Sequence, residues 1–153
     1  MADTDLNAAT LTVTITEALA IGHDTTADAR DFAQVCTHTF SSIINTSKRI
    51  FKLPNSNLNK LISFGTTTAD GVFVRADVRY IRVTNLDGTA ALQVGLDDGA
   101  SDAAYTSVAA NSSIMYTGVT CEGGNDGTTL DDATALKVKG IADHQIEVFI
   151  ASV

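Results

Sequence analysis

β-Branched side chains dominate this chain and narrow what it can fold into. Of 153 residues, 21 are Thr, 12 are Val and 11 are Ile. Such side chains are stiff at χ1 and fit a pleated sheet better than a helix. The cleanest stretch sets Leu11, Val13 and Ile15 in alternation with Thr12, Thr14 and Thr16. A period of two marks a half-buried strand, here with a threonine face. The acidic residues agree, at 15 Asp to 3 Glu. Asp competes for its own backbone within helices and favours turns and caps. The chain therefore reads as strands joined by polar turns.

Along the sequence, residues 1–9 are small and acidic and read as a short N-terminal arm, with residues 10–153 as one domain. Residues 32–44 fit two periods. Phe32, Val35, Cys36, Phe40, Ile43 and Ile44 lie near helical spacing, but Thr37, Thr39, Ser41 and Ser42 are poor helix formers, so a strand is favoured. Residues 48–53 read as a strand stopped by Pro54, the sole proline. Residues 58–64 read as a short apolar strand. The strongest β signal spans Val72 to Thr84. An Asp-Gly turn at Asp87-Gly88 closes it, and residues 92–96 are expected to return beside it as a hairpin. Residues 105–108, 113–116, 136–139 and 145–150 complete eight to ten short strands. Residues 121–132 form the longest irregular stretch. Without a long helix, this layout predicts an all-β fold: an antiparallel β-sandwich or jelly roll.

The chemistry-bearing residues assemble no catalytic signature. There is no Walker A or Rossmann glycine fingerprint and no Gly-x-Ser-x-Gly elbow. His23, His38 and His144 are isolated and read as structural or surface residues. Cys36 and His38 would share a strand face, but Cys–His dyads normally join distant segments. Cys36 and Cys121 read as small buried hydrophobes, and their spacing matches no zinc site. Asp97, Asp98 and Asp102, and Asp126, Asp131 and Asp132, read as acidic loops without metal. No catalytic, cofactor or metal residue is therefore expected. No apolar run approaches the roughly 18 residues of a membrane span, and a net charge of −8 is opposite to that of a nucleic-acid wrapper. Neither membrane nor nucleic acid is an expected partner.

Charge placement is the sharpest feature. Lys48, Arg49, Lys52, Lys60, Arg75, Arg79 and Arg82 face only Asp70 and Asp77 between positions 48 and 82, a net of +5, while the rest of the chain carries −13. Once folded, one region can meet an acidic partner while the others keep the protein soluble. The alternative is a set of charges on an exposed face, paired with local aspartates and worth little. Arg79 and Arg82 are three apart, so a regular strand turns them to opposite faces. One would then point inward, to a second layer or to a partner. The expected partner contacts are Lys48, Arg49, Lys52, Arg75, Arg79 and Arg82.

The stretch VRYIRVTNLDGTAALQVGL, residues 78–96, resembles small virion structural proteins of tailed bacteriophages from marine and cyanobacterial hosts. There an R-Y-I-R-[IV]-T-N-L-D strand and turn precede an apolar strand. SKRIFKLP, LISF and SSIMYTG fit the same layout, so the likeness runs from about Thr10 to Gly118. It implies a β-sandwich or jelly-roll decoration (cement) protein on the capsid surface of a virion. Such a protein forms dimers or trimers, binds the major capsid protein, and has no catalytic residues and no cofactor. A tail, neck or fibre-attachment module is the alternative. A carbohydrate-binding β-sandwich comes third, since it wants exposed aromatics and this chain has three Tyr and no Trp.

Overall fold

A computed structural model of the chain describes residues 8–19, 32–67, 72–97, 105–117 and 133–153. Its residue contacts divide it into two units, 1–43 and 44–153. The first holds β1 (Ala9–Leu19) and β2 (Phe32–Ile43), paired antiparallel as a two-stranded ribbon. Leu11, Val13 and Ile15 share one face with Phe40, His38 and Cys36, while Thr12, Thr14 and Thr16 share the other with Thr39, Thr37 and Val35. The alternation is thus realised, and residues 32–43 are extended. The ribbon carries a bulge where Ala9 meets Ile43 but Leu11 meets Phe40. Ser42 absorbs the extra residue with φ 61°. Cys36, expected to be buried, is exposed and free, because it lies in a pair of strands with no second layer of its own unit against it among the described residues.

The second unit is a β-sandwich. Its strands are β3 (Asn45–Lys52), β4 (Asn59–Gly65), β5 (Val72–Val74), β6 (Val78–Asn85), β7 (Leu92–Asp97), β8 (Tyr105–Val108), β9 (Ser113–Thr117), β10 (Ala135–Lys139) and β11 (Gln145–Ser152). With β1 and β2 the described residues hold eleven strands, slightly more than the turn signals suggested. One sheet has the order β3-β11-β6-β9 and the other β5-β4-β10-β7-β8. Every pairing is antiparallel except the short β4–β5 pair, which is parallel.

One core joins the two sheets. Val78, Ile81, Val83, Ile146, Val148 and Ile150 come from the four-stranded sheet; Ile62, Phe64, Leu92, Val94, Val108, Leu136 and Val138 come from the other. Leu92 with Val94, Ile81 with Val83, and Ile146, Val148 and Ile150 alternate with exposed or half-buried residues, as sheets with one inward face require, while in β6 buried Tyr80 precedes Ile81. Leu53, in the β3–β4 connection, is fully buried beneath them.

The expected hairpin between residues 78–84 and 92–96 does not form. β6 and β7 lie in opposite sheets. Six residues, 86–91, separate them, enough chain to cross sheets packed about 10 Å apart. The turn is built by side chains. Asn85 Oδ1 accepts from Asp87 N at 3.0 Å, and Asp87 Oδ1 accepts from Thr89 N and Ala90 N at 2.8 Å. These Asx-type bonds turn the backbone out of its own sheet. Alternation cannot distinguish the two outcomes, because a hairpin and a crossover both aim Val83 and Val94 at the core.

Candidate functional site

The six cations singled out in the sequence are distributed by strand periodicity. β3 is an edge strand paired only with β11 among the described residues. Ile146, Val148 and Ile150 of β11 face the core, so their partners Phe51, Arg49 and Ser47 lie on the inward side of β3. Lys48, Ile50 and Lys52 lie on the outer side. Arg82 joins that outer face in one row: Lys48, Phe149, Arg82 and Met115. The next row reads Ile50, Glu147, Thr84 and Ser113.

Glu147 organises the face. Its Oε2 takes Lys48 Nζ at 3.1 Å and its Oε1 takes Arg82 Nη2 at 2.7 Å. The hydrogen bond from Lys48, reinforced by Arg82, holds the Glu147 carboxyl below its ordinary pKa despite partial desolvation. The Arg82 guanidinium also lies 6.0 Å from the Phe149 ring centre, and Phe149 meets Tyr80 edge-on at 5.9 Å. Lys52 pairs with Asp143 at 3.0 Å. Arg49 makes no ion pair with the described residues.

Arg79 and Arg82 do not follow regular strand geometry. Ala151 is opposite Tyr80 but Ser152 is opposite Val78, so Arg79 is the extra residue of a bulge. Its Nη1 donates to Ala76 O at 2.6 Å, on the 3-10 turn Arg75–Asp77. The inward-pointing arginine expected from a spacing of three is therefore not found; both residues are half-buried. The structure brings Lys48, Lys52 and Arg82 onto one face, keeps Arg49 on the same strand, and places Arg75 and Arg79 at the β5–β6 turn. Three of the four cations, Lys48, Lys52 and Arg82, meet two carboxylates, Asp143 and Glu147; with Arg49 this leaves a net of two positive charges. Both carboxylates come from the far end of the chain, which is why the local count overstated the patch.

A second polar cluster escaped the sequence reading. Asn85 is fully buried where three sheet-to-sheet connections converge. Its Nδ2 serves Ala90 O at 2.8 Å, Ala109 O at 3.0 Å and Val108 O at 3.2 Å. With Nδ2 acting as donor, Oδ1 is the acceptor, and His144 Nε2–H donates to it at 2.6 Å. His144 is 1% exposed. Gly140 packs against it so closely that a Cβ there would stand 2.7 Å from Nδ1. This cluster fastens the fold from the interior, with both side chains closed off from solvent. The isolated His144 gave no hint that Asn85 would be its partner.

The other flagged residues stand apart. Cys36 Sγ and His38 Nε2 are 3.3 Å apart on the exposed ribbon. Asp97 is buried and paired with Lys137 Nζ at 2.7 Å, a bond that raises the Lys137 pKa. His23, Cys121, Asp98, Asp102, Asp126, Asp131 and Asp132 lie outside the described residues. Among the described residues, no group of three His, Cys, Asp or Glu is arranged to hold a metal ion, and no helix is long and apolar enough to cross a membrane. Comparison with protein-family models, with curated proteins and with solved structures finds no match to the chain.

Proposed function

We propose that the protein is a non-enzymatic structural component of a tailed-phage virion, a decoration or cement protein seated on the outside of the head. The observation that carries this reading is the cationic strand β3 and its outer face, exposed on a chain whose net charge is −8. Lys48, Arg49, Lys52 and Arg82 then contact acidic patches of the major capsid protein. Arg75 and Arg79 extend the contact at the β5–β6 turn. The likeness of residues 78–96 to small virion proteins supports the same assignment, and those residues form β6, its crossover turn and β7. A rigid sandwich suits such a role because it presents a fixed surface at the junction of several shell subunits. Repeated weak contacts there add by avidity.

The test is to mix the purified protein with heads lacking it and to measure co-sedimentation across a salt series. Saturable binding that weakens with salt, at a stoichiometry commensurate with the capsid lattice, is expected. Replacing Lys48, Arg49 and Lys52 together with Gln should reduce occupancy. A stoichiometry matching a single ring per particle moves the protein to the tail or neck. Absence from purified particles overturns the reading altogether.

A further inference from the structure

The edge of β3 that no described strand covers specifies a partner through its backbone and side chains together. Leu53 N donates to His144 O, which fixes the phase of the β3–β11 ladder. Antiparallel ladders alternate, so residues 47, 49 and 51 bond to β11. The N–H and C=O groups of Thr46, Lys48, Ile50 and Lys52 then point away from β11, toward the edge that is unpaired among the described residues. The side chains of those same residues lie on the outer face, where Ile50 is 64% exposed between two lysines that are themselves about as open. Arg49 is exposed on the opposite side of the strand.

Lysines on an edge also discourage unwanted pairing between copies. A second copy of this chain fits poorly here, because antiparallel β3–β3 pairing sets cations against cations across the ladder. An acidic strand meets the opposite situation. Taking as its footing the acidic-partner contact proposed above, we infer that β3 accepts an extended acidic segment of the partner protein as an added antiparallel strand. The four-stranded sheet thereby becomes five-stranded. Residues opposite Lys52, Arg49 and Lys48 are acidic and the residue opposite Ile50 is apolar. Read from N to C, the partner segment runs acidic, any residue, apolar, acidic, acidic. Main-chain bonds supply the affinity and this pattern supplies the choice of partner.

The experiment uses the full chain and the synthetic peptide Thr-Glu-Thr-Val-Glu-Glu-Thr-Thr, with binding read by fluorescence anisotropy and amide exchange by NMR. On binding, the amides of Thr46, Lys48, Ile50 and Lys52 become protected, while those of residues 47, 49 and 51, already bonded to β11, change little. Ile50→Pro removes the central outward N–H without touching the β11 ladder and weakens binding roughly tenfold, as does Arg49→Gln. If Ile50→Pro fails to fold by circular dichroism, Arg49→Gln with the exchange pattern decides the matter. Binding that leaves the four outward amides unprotected means charge adhesion only and overturns strand addition. So does equal binding of the peptide with Lys in place of Glu, or equally effective competition by single-stranded oligothymidine. Heads that bind the protein while the peptide does not leave the virion reading standing and remove this one.

Discussion

Removing the side chain of Asn85 gives the most stringent test of how this sandwich is held together. Asn85→Ala deletes three donor contacts, to Ala90 O, Val108 O and Ala109 O, and two acceptor contacts, from Asp87 N and His144 Nε2. Water can reach the partly buried partners Ala90 O, Ala109 O and Asp87 N. It cannot readily reach Val108 O or His144 Nε2, which lie in the interior. Two buried orphans at about 1–3 kcal/mol each, with about 1 kcal/mol for the void, give a loss of about 3–7 kcal/mol. That is a large share of the roughly 5–15 kcal/mol that holds a typical domain. It corresponds to a fall in Tm of roughly 10 °C or more.

Urea unfolding followed by far-UV circular dichroism reads the loss directly, as a lower midpoint at unchanged slope. Asn85→Asp sharpens the test. It preserves volume but replaces the donor with a carboxylate facing three carbonyl oxygens, so it is expected to cost at least as much as alanine. In a double-mutant cycle, His144→Leu with Asn85→Ala should be less destabilising than the sum of the two, by about 1 kcal/mol or more. A loss below about 1 kcal/mol for Asn85→Ala, or strict additivity with His144→Leu, refutes the view that this cluster ties the connections together.

Gly140→Ala drives a Cβ to 2.7 Å from His144 Nδ1 and 3.0 Å from Leu53 Cδ1, two side chains with no room to retreat. It should cost about 1–3 kcal/mol in the same urea assay. Asp87 has its pKa lowered to about 2 by hydrogen bonds from the amides of Ala90 and Thr89 and from the Thr89 hydroxyl. A carboxyl depressed on folding stabilises above its unfolded pKa, near 4, and that stabilisation is lost as pH falls toward 2. Urea midpoints measured through that window should fall less steeply in Asp87→Asn; the depressed Glu147 carboxyl retains part of the slope. Because the hydrophobic cluster between the two sheets runs, among the described residues, from Leu53 to Ile150, a fragment beginning at Ile44 should keep a single cooperative urea transition. Non-cooperative unfolding of that fragment would contradict the division of the chain at Ile43.

The β-class of the fold was legible because it is a property of single strands. Ile81 with Val83 and the run Ile146, Val148, Ile150 declare an inward face without reference to any neighbour, whereas Val78 joins that face only through the bulge at Arg79. Pairing is not such a property. The Asn85–Ala91 segment carries a turn signal, yet Asp87 uses its carboxylate to cap the amides of Thr89 and Ala90 and sends the chain into the other sheet. The chain makes the same kind of switch at residues 109–112 and 140–144, which lead from β8 to β9 and from β10 to β11. Asn85 gathers all three connections, and its partners lie up to 59 residues away. A contact of that sequence separation leaves no local trace in the pattern of apolar and polar residues.

The same limit explains how far the candidate surface could be read. The cations at positions 48, 49 and 52 were visible as a run, and a run on one strand stays together whatever the fold. Their meaning depends on β3 being an edge, which is decided by the final strand, β11, choosing β6 as its other neighbour. Glu147 arrives on β11 and binds Lys48 and Arg82 together, so the residue that draws the cations into one surface also removes part of their charge. What remains available to a partner is therefore less a field of positive charge than a register: outward backbone groups at positions 46, 48, 50 and 52, a bare isoleucine between two lysines, and Arg49 behind. A bulk electrostatic surface would tolerate moving these cations one residue along β3. A strand-pairing edge would not, because a shift of one exchanges the two faces. Exchanging Arg49 with Ile50, at constant composition and charge, moves a cation onto the apolar position and the apolar residue onto a cationic one, and should therefore weaken capture of the acidic peptide while leaving the salt-dependent mobility of the protein unchanged.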